Sequence, residues 1–108
     1  MLLITKEIQN LFDKQGDPSE LEMKDIKIVC KLFNPVGAAT WYLYEQMDED
    51  VYYCFADLGD PMCAEIGTVS MNEMKSLKLP MGMSIERDTS FKGGVMTLEE
   101  IYNKVKGH

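Results

Sequence analysis

The side chains in this sequence best placed to do chemistry are carboxylates and one arginine. Glu86, Arg87 and Asp88 are consecutive, and Arg87 is the single arginine beside ten lysines. A guanidinium is a rigid fork that grips a carboxylate or phosphate at two points, so an isolated arginine implies a defined geometry. Alternation along a strand would send Glu86 and Asp88 to one side and Arg87 to the other. Glu45 and Glu65 are further candidates, with Lys31 as a counter-charge. Two carboxylates held close together can act as acid and base, or bind a hard cation. Lys31, Glu65, Glu86, Arg87 and Asp88 thus form a candidate ligand or ion-pair cluster, and Glu45 joins them if the chain is an enzyme. The alternative role for the triplet is a fold-locking salt bridge. Glu45 follows Trp41 and Leu43 on one face of a predicted strand, so it calls for a partner such as Arg87 or Lys31.

Other chemistries lack their parts. The one histidine, His108, is terminal and expected to fray, whereas nucleophilic triads need a positioned base. Cys30, Cys54 and Cys63 are odd in number and contain no CxxC pair, which predicts reduced thiols and no zinc site. Lys92-Gly93-Gly94 lacks the GK[ST] of a phosphate loop, and no GxGxxG follows a strand. No metal or cofactor is expected, and binding is better supported than catalysis.

Charge points the same way. Lys and Arg total 11 against 18 Asp and Glu, a net charge of −7. Glu45 to Glu65 holds seven acidic residues and no basic one. Such a segment repels a phosphate backbone, so direct nucleic-acid binding is not expected. It suits a basic protein partner, a cation or simple solvation. Trp41, Tyr42, Tyr44, Tyr52, Tyr53 and Phe55 crowd the same region, on both faces of one predicted hairpin. Tyr42, Tyr44 and Tyr52 are candidates for an exposed or half-covered aromatic patch, the alternative being packing beneath a helix. The candidate partner surface is therefore Trp41, Tyr42, Tyr44, Glu45, Asp48, Glu49, Asp50 and Tyr52. Nine methionines, six of them between Met62 and Met96, are expected to fill the core.

The elements that must position these groups follow from periodicity. Thr5 caps a helix over 6–14, with Ile8, Leu11 and Phe12 on one face. Gln15-Gly16-Asp17-Pro18-Ser19 breaks it, and 19–25 reads as loop. Strands are predicted over 26–33, 40–47, 51–58 and 64–69, with a short fifth over 84–88. Ser70-x-x-Glu73 and Thr97-x-x-Glu100 are capping boxes that open helices over 71–77 and up to 106. Short turns between consecutive strands imply antiparallel pairing. The fold class is α+β. A meander of four to five strands has short helices at the N-terminus, after strand four and at the C-terminus, packed over one face. At 108 residues, 45% of them hydrophobic, residues 1–108 make a single domain. No apolar run is long enough to span a membrane. The N-terminal residues lack a signal-peptide pattern, so a cytoplasmic location is expected.

The order of several short blocks resembles a known family. Lys31-Leu32-Phe33-x-Pro35, Trp41-Tyr42-x-x-Glu45, Glu65-x-Gly67, Ser70-x-x-Glu73 and Gly82-x-x-x-Glu86-Arg87-Asp88-x-x-Phe91 are similar to domain of unknown function 2958. The likeness spans roughly 27–91 and departs at Thr68-Val69 and in the helix after Phe91. It implies a short bacterial, phage or plasmid protein, often carried on mobile elements, and it brings no catalytic residues. The expectation is a small acidic interaction module of mobile-element origin that binds a basic protein surface, with anti-defence as its purpose. The alternatives are a small-ligand binder or enzyme built on the Glu/Arg/Asp cluster, and a homo-oligomer formed through a sheet edge.

Overall fold

The computed structural model describes residues 1–107; the expectation for His108 lies outside the described residues. Thr5 opens the first helix as its type predicts, its hydroxyl accepting a hydrogen bond from the Ile8 N–H at 3.2 Å. Helix α1 (Lys6–Gln15) ends at Gly16, whose φ of 62° suits a residue without a Cβ. Five strands follow: β1 (Cys30–Phe33), β2 (Thr40–Gln46), β3 (Val51–Asp57), β4 (Glu65–Ser70) and β5 (Glu86–Arg87). They form one antiparallel sheet in the order β4-β3-β2-β1-β5. Helix α2 (Met71–Ser76) follows β4, and α3 (Leu98–Lys106) follows β5. The capping box of α3 is complete: Thr97 and Glu100 exchange two hydrogen bonds, each 3.1 Å. The α+β meander and its three helix positions are those the sequence predicts.

Two expectations are corrected. The first strand is shorter than 26–33, because residues 26–28 pair with the segment before α3. The Ile28 N–H donates to the Met96 carbonyl and the Leu98 N–H to the Ile26 carbonyl, both at 2.8 Å. The sheet is also covered on both faces, not one. On one side α1 and α2 bring Phe12, Met71 and Met74 onto Leu32, Leu43, Tyr52 and Cys54. On the other, α3 brings Leu98 and Ile101 onto Ile28, Tyr42, Tyr44 and Phe55. Each fully enclosed large apolar side chain contributes ~1.5–3 kcal/mol relative to exposure. An aromatic hairpin with two apolar faces needs two lids, and the chain supplies one from α1 and α2 and the other from α3.

Methionine is less internal than expected. Met71 and Met74 are buried, whereas Met1, Met47, Met62, Met81 and Met83 are exposed.

Candidate functional site

The Glu86-Arg87-Asp88 triplet sits at one edge of the sheet, where β5 pairs with β1 through Leu32–Arg87 and Phe33–Glu86. Lys31, Glu86, Arg87 and Asp88 converge there on an open groove of about 420 Å³, with Met1, Phe33, Thr40 and Thr89. Glu45 and Glu65 are not part of it: they line two other hollows. The charges of the groove are largely engaged. The Lys31 ammonium pairs with Asp88 at 3.3 Å and lies 5.7 Å from the centre of the Tyr42 ring. Asp88 also accepts from the Ser90 hydroxyl at 2.6 Å and the Ser90 N–H at 2.9 Å. Its carboxyl is held below the ordinary range, chiefly by that hydroxyl. The Arg87 guanidinium donates to the backbone carbonyls of Leu2 and Leu3. It fastens the N-terminal segment, and with it the buried Leu3 side chain, to the sheet edge. Arg87 forms no ion pair with any described carboxylate.

A second hollow is made by the loop after α1 and the β2–β3 hairpin. A β-bulge creates it. Leu43 lies opposite Cys54, but Glu45 lies opposite Tyr53, so β2 carries one extra residue at Tyr44. Simple alternation would keep Glu45 with Trp41 and Leu43. The bulge instead turns Glu45 to the α3 side of the sheet, next to Tyr44 and Tyr53. Those rings stack with centres 6.3 Å apart and planes at 21°. With Pro18 and Ile26 they line a groove of about 480 Å³ whose rim is Asp17, Ser19, Leu21, Glu45 and Met47. Leu21 and Met47 are about half exposed. Two glutamines hold α1 against the strands beside it. Gln15 donates to the Tyr44 carbonyl at 2.5 Å and accepts from the Lys27 N–H at 2.8 Å. Gln9 donates to Gln46 at 2.5 Å, and Gln46 donates to the Tyr52 hydroxyl at 3.2 Å.

The electrostatics of this second groove are uncompensated. Burial raises the Glu45 carboxyl above its ordinary value, and the like charge of Asp17 raises it further. Neither expected partner is present, since Lys31 belongs to Asp88 and Arg87 to the N-terminal carbonyls. The ion pairs among the described residues are Lys24–Glu22 and Lys31–Asp88, so no cation within the fold meets Glu45. Burial, followed by the Glu45 charge, pushes the Tyr44 phenol up to about 12, which keeps it neutral. The groove presents the partly exposed Tyr53 ring, backed by the buried Tyr44, and two carboxylates without an internal counter-ion.

The rest of the expected contact surface is redistributed. Tyr42, Tyr44 and Tyr52 are buried, so the exposed patch suggested for them is corrected. Tyr42 packs against Phe91 on the α3 side, and Tyr52 against Phe12 of α1. Trp41 is half-buried on the α1/α2 side, away from Glu45. The acidic run is not one surface either. Asp48, Glu49 and Asp50 lie at the β2–β3 turn, while Asp57 ends β3 and Asp60 lies just beyond its far end. Most of the length of β3, at ~3.3 Å per residue, separates the two groups. Asp48 and Asp50 are also structural. Asp48 accepts from the Val51 N–H at 2.7 Å, and Asp50 accepts from the Ser70 hydroxyl at 2.6 Å and the Asn72 N–H at 2.7 Å. Asp50 thereby ties the hairpin turn to the start of α2, and its carboxyl is lowered, first by Ser70.

Asp17, Leu21, Met47 and Tyr53 are groove residues that the pattern of the sequence did not single out. Only the tertiary approach of loop 16–21 to the hairpin brings them together. Cys30 and Cys54 are buried free thiols that burial pushes up to about 12, and Cys63 is exposed. Among the described residues, no three His, Cys, Asp or Glu side chains gather as a metal site. No helix among them is long and apolar enough to cross a membrane.

A five-stranded antiparallel sheet with helices on both faces defines an α+β protein with one polar cluster at the β5 edge and another at the β2–β3 hairpin. The chain belongs to the family described as Protein of unknown function (DUF2958), whose model matches residues 2–103. The match runs well into α3, so this helix is part of the family pattern and not the departure that the shorter likeness over 27–91 implied. Neither the curated proteins nor the solved structures give a match.

Proposed function

We propose that the chain is a protein-interaction module that receives a basic side chain of a partner protein in the groove of Asp17, Tyr44, Glu45, Met47 and Tyr53. The observation that carries this reading is the raised, unpaired carboxyl of Glu45 beside Asp17 and above two stacked tyrosines. A partner arginine or lysine would relieve the repulsion between the carboxylates. Its aliphatic stem would cover Leu21 and Met47, and its cation would meet the partly exposed Tyr53 ring. Glu49, at the turn, adds long-range attraction for a basic surface. An acidic module seated in the basic cleft of a nucleic-acid enzyme would exclude nucleic acid. Carriage on mobile elements, implied by the family resemblance, makes obstruction of a host defence enzyme the purpose we assign to it.

The test is an NMR titration with short peptides that present one arginine between apolar residues. A citrulline version, with the same shape and no charge, is the control. Binding should shift resonances of Tyr44, Glu45, Met47 and Tyr53, weaken with salt, and disappear with citrulline. Asp17→Lys and Glu45→Lys should each abolish it, while Lys106→Glu, on α3, should not weaken it. Equal binding of the citrulline peptide, or binding unchanged in the Asp17→Lys and Glu45→Lys proteins, refutes the reading. Reversing Asp48 and Asp50 is uninformative, because both carboxylates hold the turn together.

A further inference from the structure

The two edges of the sheet are treated differently. The β5 edge is two residues long and is covered by the N-terminal segment that Arg87 holds. The β4 edge runs for six residues in unbroken register with β3, from Ala56–Glu65 to Val51–Ser70, and among the described residues pairs with no other strand. Proteins usually blunt such an edge with lysine, proline, a bulge or a covering segment. Glu65-Ile66-Gly67-Thr68-Val69-Ser70 contains no lysine or proline, and its pairing has no bulge. Ile66 is 48% exposed, and Leu58 and Met62, which precede the strand, are 70% and 73% exposed. Apolar hollows open on both sides of the edge: one of about 230 Å³ at Leu58, Ile66 and Gly67, and one of about 720 Å³ at Leu58, Val69 and Leu77.

We infer that β4 pairs antiparallel with β4 of a second copy of this chain, joining two sheets into one of ten strands. Two copies related by a two-fold axis normal to the sheet keep each face on its own side. Directly opposed residues must then share a face, which leaves few registers. Centring the axis on Gly67 sets Ile66 opposite the copy's Thr68, and Glu65 opposite its Val69. Two β-branched pairs result, and no carboxylate faces another. Centring it on Thr68 instead would drive Glu65 against Met71, the buried first residue of α2. Gly67 has nothing within 4 Å of where its Cβ would be, so the sheet face over the axis is open and two glycines can lie opposite each other there without a side-chain clash. The contact is small and belongs to the weak class, below about 1,200 Å².

Sedimentation equilibrium from low micromolar to near-millimolar concentration should show the apparent mass rising from 12.3 kDa towards twice that value. The double variant Ile66→Lys/Thr68→Lys sets lysine against lysine in this register and should stay at one chain's mass. So should Ile66→Glu/Thr68→Glu, and an equimolar mixture of the two should recover the doubled mass. Both positions are exposed, and thermal denaturation checks that the variants fold. Independently, Gly67→Cys in a Cys54→Ala/Cys63→Ser background, which removes the thiol opposite position 67 on β3, should cross-link two copies under a mild thiol oxidant, because the position faces itself. Glu65→Cys in the same background should not. A wild-type mass that stays at one chain throughout overturns the inference. So does association that survives both charged variants, or cross-linking that is stronger through position 65 than through 67.

Discussion

Arg87→Ala separates two roles that the sequence left open for this residue, a structural lock and a ligand clamp. In the structure its guanidinium donates to the Leu2 and Leu3 carbonyls, and Leu3 is a buried member of the α1/α2-side core. A hydrogen bond from a charged donor contributes ~1.5–3 kcal/mol when well shielded. One of these two is partly buried and the other exposed, so the lower end of that range, about 1.5 kcal/mol, is the appropriate total after screening. At roughly 4 °C per kcal/mol for a chain of this size, the midpoint should fall by about 6 °C. The loss should be local as well as global. Amide exchange should accelerate at residues 2–5 and at Cys30, whose thiol sits 3.9 Å from the Leu3 carbonyl, more than in β3. Arg87→Lys should recover only part of the loss, since an ammonium cannot reproduce the fork. Differential scanning calorimetry and hydrogen exchange provide the assay. An Arg87→Ala protein with an unchanged midpoint and unchanged N-terminal protection would refute the lock and leave the guanidinium free to bind a ligand.

Three further predictions rest on separate observations. Thr97→Ala removes the hydroxyl that caps α3 and leaves Glu100 with half of its box, so calorimetry should show a loss of ~1 kcal/mol. A loss near zero would mean that α3 is held by packing alone. Gly93→Ala would place a Cβ 2.3 Å from the Val29 carbonyl oxygen, a backbone atom with little room to move, whereas Gly67→Ala meets nothing within 4 Å. The first variant should be destabilised by several times as much as the second in urea denaturation, and equal midpoints would contradict the packing at 93. Glu45→Gln tests a pH dependence. The folded-state pKa of Glu45 lies above its ordinary 4.5, so its contribution to stability is fully present below that value. The contribution is lost as pH rises through the raised pKa. The glutamine variant should therefore melt higher than wild type at pH 7, and the difference should vanish in acid. A variant that melts lower at pH 7 would show an unrecognised cation at Glu45.

What could be read from the sequence was local. Thr5, Ser70 and Thr97 each mark a helix start because a capping hydroxyl acts within its own turn. The β2–β3 hairpin was legible for the same reason. Glu45 was misplaced because alternation assumes an unbroken pleat, and one extra residue at Tyr44 reverses every face after it. The tyrosines resembled a surface because two aromatic faces exceed what one lid can cover, and nothing nearby in the sequence announces a second lid. The partners of Arg87 were hidden because a guanidinium is matched in thought to carboxylates. Here it serves backbone carbonyls more than eighty residues away in the chain. Lys92-Gly93-Gly94 reads from the sequence only as an incomplete phosphate loop, and the closeness of Val29 explains a residue without a side chain at position 93.

The two-sided cover of the sheet has a kinetic consequence. One core joins Leu3 and Phe12 to Ile85, and the other joins Ile26 and Ile28 to Leu98 and Ile101. Each therefore closes a loop of some seventy residues or more, and the two share the strands between them. Such long closures slow the search for the native state, and they leave the aromatic hairpin open to water until late. During synthesis, β2 and β3 leave the ribosome well before the residues that will cover their α3-side face. The emerging chain should thus depend on speed of completion, or on a chaperone, more than a helical protein of the same length would.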